Sequence, residues 1–117
     1  MQAEVTSFGK ILRELRESAG LRLREVAALL DIDHSLLGKF ERNERHPTRK
    51  LISKIATIYN QSKDDLTIHL LSDQFADQIL KEKTDLKILK LVRKKVKLHI
   101  NNRVTYPHSK KHDKQKA

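Results

Sequence analysis

Cysteine is absent from this chain of 117 residues. That excludes a disulfide framework and a thiolate metal site, and it suits a reducing compartment. Glycine and proline are scarce, at 3 and 2 residues. With β-branched residues scattered rather than clustered, the composition argues for an all-α chain. No apolar run approaches the roughly 18 residues that a membrane span needs. The opening stretch MQAEVTSFGK has no apolar signal-peptide core. The expectation is a soluble, cytoplasmic protein with no membrane partner. A Gly-rich phosphate loop, a Cys nucleophile and a persuasively spaced Ser/His/Asp set are also missing. No enzyme activity, cofactor or metal is expected.

What the chain has is positive charge, unevenly placed. The formal net charge is +10. Residues 1–80 hold 12 Lys/Arg and 12 Asp/Glu and are neutral, whereas residues 81–117 hold 13 Lys/Arg against Glu82, Asp85 and Asp113. Such asymmetry points to an anionic partner, nucleic acid before a membrane surface, or else to a solvated basic face with a disordered tail.

Apolar spacing predicts six helices. Phe8, Ile11, Leu12 and Leu15 mark a first helix over Ser7–Ala19, with Gly20 after its end. Helix 2 is expected over Leu23–Leu30 and helix 3 over His34–Arg42. Thr48 caps a fourth helix that runs to Asn60, and Ser62 caps a fifth that runs to about Leu80. Thr84 or Asp85 caps a sixth that runs to Ile100. From Asn101 the Lys-rich tail should be disordered. Its His108 and His112 lack a third ligand for a metal site.

Between Leu23 and Arg42 the chain reads LREVAALLDIDHSLLGKFER. Val26, Ala27 and Leu30 face inward from the first helix of this pair. Leu37 and Phe40 face inward from the second, with Ile32 in the turn. Asp31 stands where a left-handed residue is needed, and Asp33 is placed to cap helix 3 with its carboxylate on free N–H groups. Two short helices joined by a tight turn form the pattern of a DNA-reading helix-turn-helix. In the following loop, Arg42, Asn43 and Arg45 are placed to contact phosphates through side chains and backbone N–H groups. Asn43 is also a candidate left-handed C-cap.

From Phe8 to Leu66 the chain resembles the lambda-repressor-like, Cro-type (XRE) helix-turn-helix family. The matching stretches are FGKILRELRESAGLRLREVAALL, DIDHSLLGKFERNERHP and TRKLISKIATIYNQSKDDL. Leu23 and Asp31 depart from the family, which often has Gln and Gly at those positions. The resemblance implies a five-helix DNA-binding domain over residues 7–66, with the N-terminal end of helix 3 in the major groove. It carries base-edge roles to His34, Ser35 and Lys39. It also pairs Arg16 with Glu41, against two solvated side chains as the alternative. Leu36 is left between a thymine methyl and packing on helix 2. Gly38 is either a point of close approach to DNA or simply tolerated.

Residues 67–100 then form a helical extension with a wide apolar stripe of Leu86, Leu89, Val92 and Val96, and residues 101–117 form the basic tail. The stripe packs within the chain, forms a homodimer interface, or takes a protein partner through helices 5 and 6. The resemblance implies a sequence-specific transcriptional regulator of double-stranded DNA, a dimeric repressor or controller protein. An antitoxin-like or bridging module on the same fold is the alternative.

Overall fold

The computed structural model of the chain describes residues 5–102. Among them are six α-helices and no strand. They are α1 (Phe8–Ser18), α2 (Leu23–Leu30), α3 (His34–Glu41), α4 (Arg49–Tyr59), α5 (Lys63–Glu82) and α6 (Lys87–Asn102). The architecture is all-α, with the extra C-terminal helix. Contacts divide the chain after Gln78.

Local chemistry sets the helix ends in the first unit. The Ser7 hydroxyl accepts from Lys10 N at 3.1 Å and opens α1. Gly20, at φ +70°, closes it, with Leu21 N donating to Arg16 O at 3.1 Å. Glu25 accepts from Arg22 N at 2.7 Å at the start of α2. Asp31 ends α2 in the left-handed region, at φ 58° and ψ 46°. The Thr48 hydroxyl caps α4 through Leu51 N, and the Ser62 hydroxyl caps α5 through Asp65 N. Each cap supplies an acceptor to an N–H that the helix itself cannot satisfy.

One core results. Phe8 and Leu12 from α1, Val26, Ala27 and Leu30 from α2, and Leu37 and Phe40 from α3 are buried together. Ile52, Ile55 and Ala56 from α4 and Leu66 and Leu70 from α5 complete it. α3 packs on α1 and α2, and α2 also packs on α4. The inner faces of the helix pair are therefore fixed, and the remaining side of α3 faces outward.

The second unit contains α6. The Asp85 carboxylate accepts from Lys87 N at 3.1 Å and opens the helix. Leu89, Val92 and Val96 are about half exposed, at 48%, 47% and 49%, and α6 has no buried residue. The helix continues past Ile100 through Asn101 and Asn102. Asparagine is a weak helix former but not a breaker, so the backbone ladder runs on. The rest of the expected tail, including His108 and His112, lies outside the described residues. None of the described helices is long and apolar enough to cross a membrane.

Candidate nucleic-acid interface

α3 is short, and its two faces differ sharply. Leu37 and Phe40 are 2% and 3% exposed, while His34, Ser35 and Lys39 are exposed. Ser35 and Lys39 are four residues apart, so they stand one above the other on the outer face. His34 lies beside them at the N-terminal end. Leu36 is half-buried and packs against the core, which leaves little of it for a base.

The N-terminal end of α3 differs from expectation in one detail. The Asp33 carboxylate makes no capping hydrogen bond to the first turn of α3. It accepts from the Ser35 hydroxyl instead, and it lies 3.8 Å from His34 Nδ1. A hydroxyl two residues on is within easy reach of a side chain at this position, and it outcompetes the backbone donors. The Ser35 hydrogen bond, and less strongly the adjacent His34, hold this carboxyl below its ordinary range. Ser35 thus donates to its neighbour Asp33 and keeps its lone pairs for an incoming donor.

The loop after α3 is bonded to the rest of the first unit. Asn43, at φ +62°, does reverse the chain. Its side chain, however, belongs to α1. Asn43 Oδ1 accepts from Gly9 N at 2.9 Å, and Asn43 Nδ2 donates to Ser7 Oγ at 3.0 Å. The loop N–H groups are likewise engaged inward. Asn43 N donates to Phe40 O at 3.1 Å, Glu44 N to Lys39 O at 2.8 Å and Arg45 N to Lys39 O at 3.4 Å. The last carbonyls of α3 have no partners within the helix, and the nearest N–H groups satisfy them. Asn43 and the loop backbone thus have a structural role in holding the end of α3 to α1. The Arg45 side chain is exposed. The Arg42 guanidinium pairs with Glu44, Nε to Oε2 at 2.9 Å, and its hydrogen bond holds the Glu44 carboxyl below the ordinary range. The pair uses Nε and Nη2 and leaves the Nη1 donors, on a side chain 59% exposed, for a phosphate. His46 is half-buried and lines a small cavity with Ser7, Asn43, Asp73, Ala76 and Asp77.

Behind this surface the structure brings Arg16 and Glu41 together. Arg16 Nε donates to Glu41 Oε2 at 2.8 Å and Nη2 donates to Oε1 at 3.1 Å. The third nitrogen, Nη1, donates to Leu21 O at 3.0 Å. The two side chains are 15% and 7% exposed. This planar two-point contact fixes α1 against the end of α3. Tyr59 lies close by, and burial, aided by the Glu41 charge, pushes its hydroxyl up to about 12.

Two residues that the sequence reading did not single out support the same surface. The Asp73 carboxylate accepts from Phe8 N at 2.7 Å, across 65 residues. Gly9 touches the end of α3 so closely that no side chain fits there. Gly38 is different. A Cβ there would meet Leu23 Cδ2 at 3.6 Å and the mobile end of Arg42 at 3.0 Å, so packing does not demand a glycine. Among the described residues no three His, Asp or Glu come together as a metal site.

Comparison with known proteins agrees with this geometry. The helix-turn-helix family model matches residues 12–66. The chain is 38% identical over 60 residues to the HTH-type transcriptional regulator ImmR of Bacillus subtilis, covering 51% of this chain and 47% of that one. It is 31% identical over 77 residues to the HTH-type transcriptional regulator DdrOP3 of Deinococcus deserti, covering 64% and 60%. It is 35% identical over 66 residues to the HTH-type transcriptional regulator YazB of Bacillus subtilis, covering 56% of this chain and 93% of that one. The match thus takes in about half of ImmR but nearly all of YazB.

Proposed function

This chain belongs to the helix-turn-helix family of the lambda-repressor-like, XRE type, and from that premise we propose that it is a sequence-specific, DNA-binding transcriptional regulator of the cytoplasm. The observation that carries the reading is the outer face of α3. His34, Ser35 and Lys39 stand exposed on a helix whose opposite side is locked into the core. A lysine donates to guanine O6 or N7, and a serine oxygen can accept from a base amino group. Arg42 and Arg45 add phosphate contacts at the end of the same helix. Regulation is then steric and thermodynamic: occupancy of an operator changes access to a promoter.

Selection of duplexes from a random pool tests the reading directly and should return a defined site. On that site Lys39→Ala should cost about 1–3 kcal/mol and relax the preference at one base position. A uniform loss on all sequences would make Lys39 a phosphate contact instead.

The proposed regulator acts as a homodimer and a repressor. Supporting this, Leu86, Leu89, Val92 and Val96 leave an apolar stripe exposed, and contiguous exposed apolar surface marks interaction sites. Two reading helices would then meet half-sites about 34 Å apart, and the selected site should be a palindrome. Sedimentation at micromolar concentration should give the dimer mass, and a monomer bound singly to the operator would overturn the dimer. The same stripe favours the second reading, a bridging or antitoxin-like module that binds another protein. In that case no duplex is enriched.

A further inference from the structure

We propose that α6 is a second DNA contact, blind to sequence, which grips the phosphate backbone through a row of cations. The proposal rests on the reading of α3 as a DNA-reading helix and adds where the electrostatic affinity comes from.

Residues 87–102 contain six Lys/Arg and no Asp or Glu. Four of them, Lys90, Arg93, Lys94 and Lys97, line one open groove on a single side of the helix. The intervals of three and four residues make them neighbours along one face. At about 1.5 Å of rise per residue the row is roughly 10 Å long. A DNA duplex offers about one negative charge per 1.7 Å of axis, so a row of this length meets several phosphates.

Within the free protein this arrangement is poor. Neighbouring cations repel at these intervals. The Asp85 carboxylate offsets the positive end of the α6 dipole, but no acidic residue within the helix offsets the row. A polyanion relieves that repulsion. Residues 1–80 are neutral overall, so the chain's net positive charge lies beyond them. Around α3 the exposed Lys39, Arg42 and Arg45 are offset by Asp31, Asp33 and Glu44.

An anionic membrane surface is the competing acceptor, because the other side of α6 is apolar. That face is interrupted. Lys95 follows Leu91 by four residues and Val92 by three, and it precedes Leu98 by three. By helical geometry it therefore stands inside the apolar side. A helix lying in a lipid interface keeps its cations on the polar face. Duplex DNA makes no such demand.

The test is a salt titration of the full chain against a variant carrying Lys90→Gln, Arg93→Gln, Lys94→Gln and Lys97→Gln. Glutamine keeps the helix propensity, and circular dichroism confirms equal helicity. Both proteins are titrated on the selected site and on a random duplex. Each lost phosphate contact removes about 0.9 from the slope of log affinity against log salt. The slope should fall by roughly 2 to 4 on both duplexes, with the base preference unchanged. The matching set of Lys→Arg changes, with Arg93 kept, should retain the slope. An unchanged slope in the Gln variant overturns the proposal while leaving base reading by α3 intact. So does charge-dependent binding of the wild type to phosphatidylglycerol/phosphatidylcholine vesicles without any slope change on DNA. A Lys39→Ala variant that keeps its full base preference instead removes the Lys39 assignment, whatever α6 does.

Discussion

Replacing Glu41 with alanine should lower stability by about 3 kcal/mol, the low end of what is lost when one partner leaves a buried pair. Glu41 takes two of the three hydrogen bonds that Arg16 makes. In the variant the guanidinium stays charged, because it cannot give up a proton. It keeps only the Leu21 carbonyl, in a site where its side chain is 15% exposed. Some solvent reaches it, which holds the loss near the low end. In a unit of this size each kcal/mol moves the melting temperature by about 4–8 °C, so the midpoint should drop by roughly 12–24 °C. The Glu41→Gln variant keeps the shape and one good acceptor, and it should lose less. Glu44→Ala removes an ion pair of similar length between side chains 59% and 53% exposed, and it should leave the midpoint where it is. Equal midpoints for Glu41→Ala and Glu44→Ala would sink the idea that the pair holds α1 on α3.

The contrast between these two pairs also explains what a sequence can disclose. Gly20, Asp31, Asn43, Thr48 and Ser62 were legible as helix ends because a cap depends on residues within one turn. The outer face of α3 was legible because Leu37 and Phe40 assign the inner one, and composition alone pointed to the all-α class. Arg16 and Glu41 are 25 residues apart, and only the family resemblance put them together. Asp33 had two local partners to choose from, and spacing does not say whether a carboxylate takes a backbone N–H or a hydroxyl. Asn43 and Asp73 were beyond reach for a different reason. The N–H groups of Gly9 and Phe8 needed acceptors, and α1 has no acidic residue in its first turn. The acceptors come from a loop and a helix far along the chain, brought there by packing. The position of Asn43 in the motif gives no sign that its side chain bonds to α1.

Gly9 should prove the least replaceable small residue in the first unit. A Cβ at this position would sit 2.5 Å from Glu41 O and 2.6 Å from both Phe40 O and Asn43 Oδ1. Two of those oxygens are backbone at the end of α3. Asn43 is tied by its own bonds to Gly9 N and Ser7 Oγ. None can step aside as the tip of a long side chain would. Alanine is the better helix former by about 1 kcal/mol, so propensity alone predicts that Gly9→Ala stabilises α1. Overpacking costs typically about 1–3 kcal/mol and occasionally more. With three fixed contacts the upper end applies, and after the gain in propensity a net loss of about 2 kcal/mol is expected. The strain lands on the seam that Arg16 and Glu41 hold, so Gly9→Ala and Glu41→Ala should not add when combined. Gly38→Ala is the control. Its nearest neighbours are Leu23 Cδ2 and the flexible end of Arg42, held by an exposed pair with Glu44, so the gain in propensity, up to about 1 kcal/mol, should survive. Operator affinity is then the second readout. If α3 meets DNA closely at Gly38, Gly38→Ala binds less well while melting no lower. Urea denaturation midpoints of the two variants decide the packing argument: Gly9→Ala at or above the wild-type midpoint would show that α1 and the end of α3 are not in the contact described.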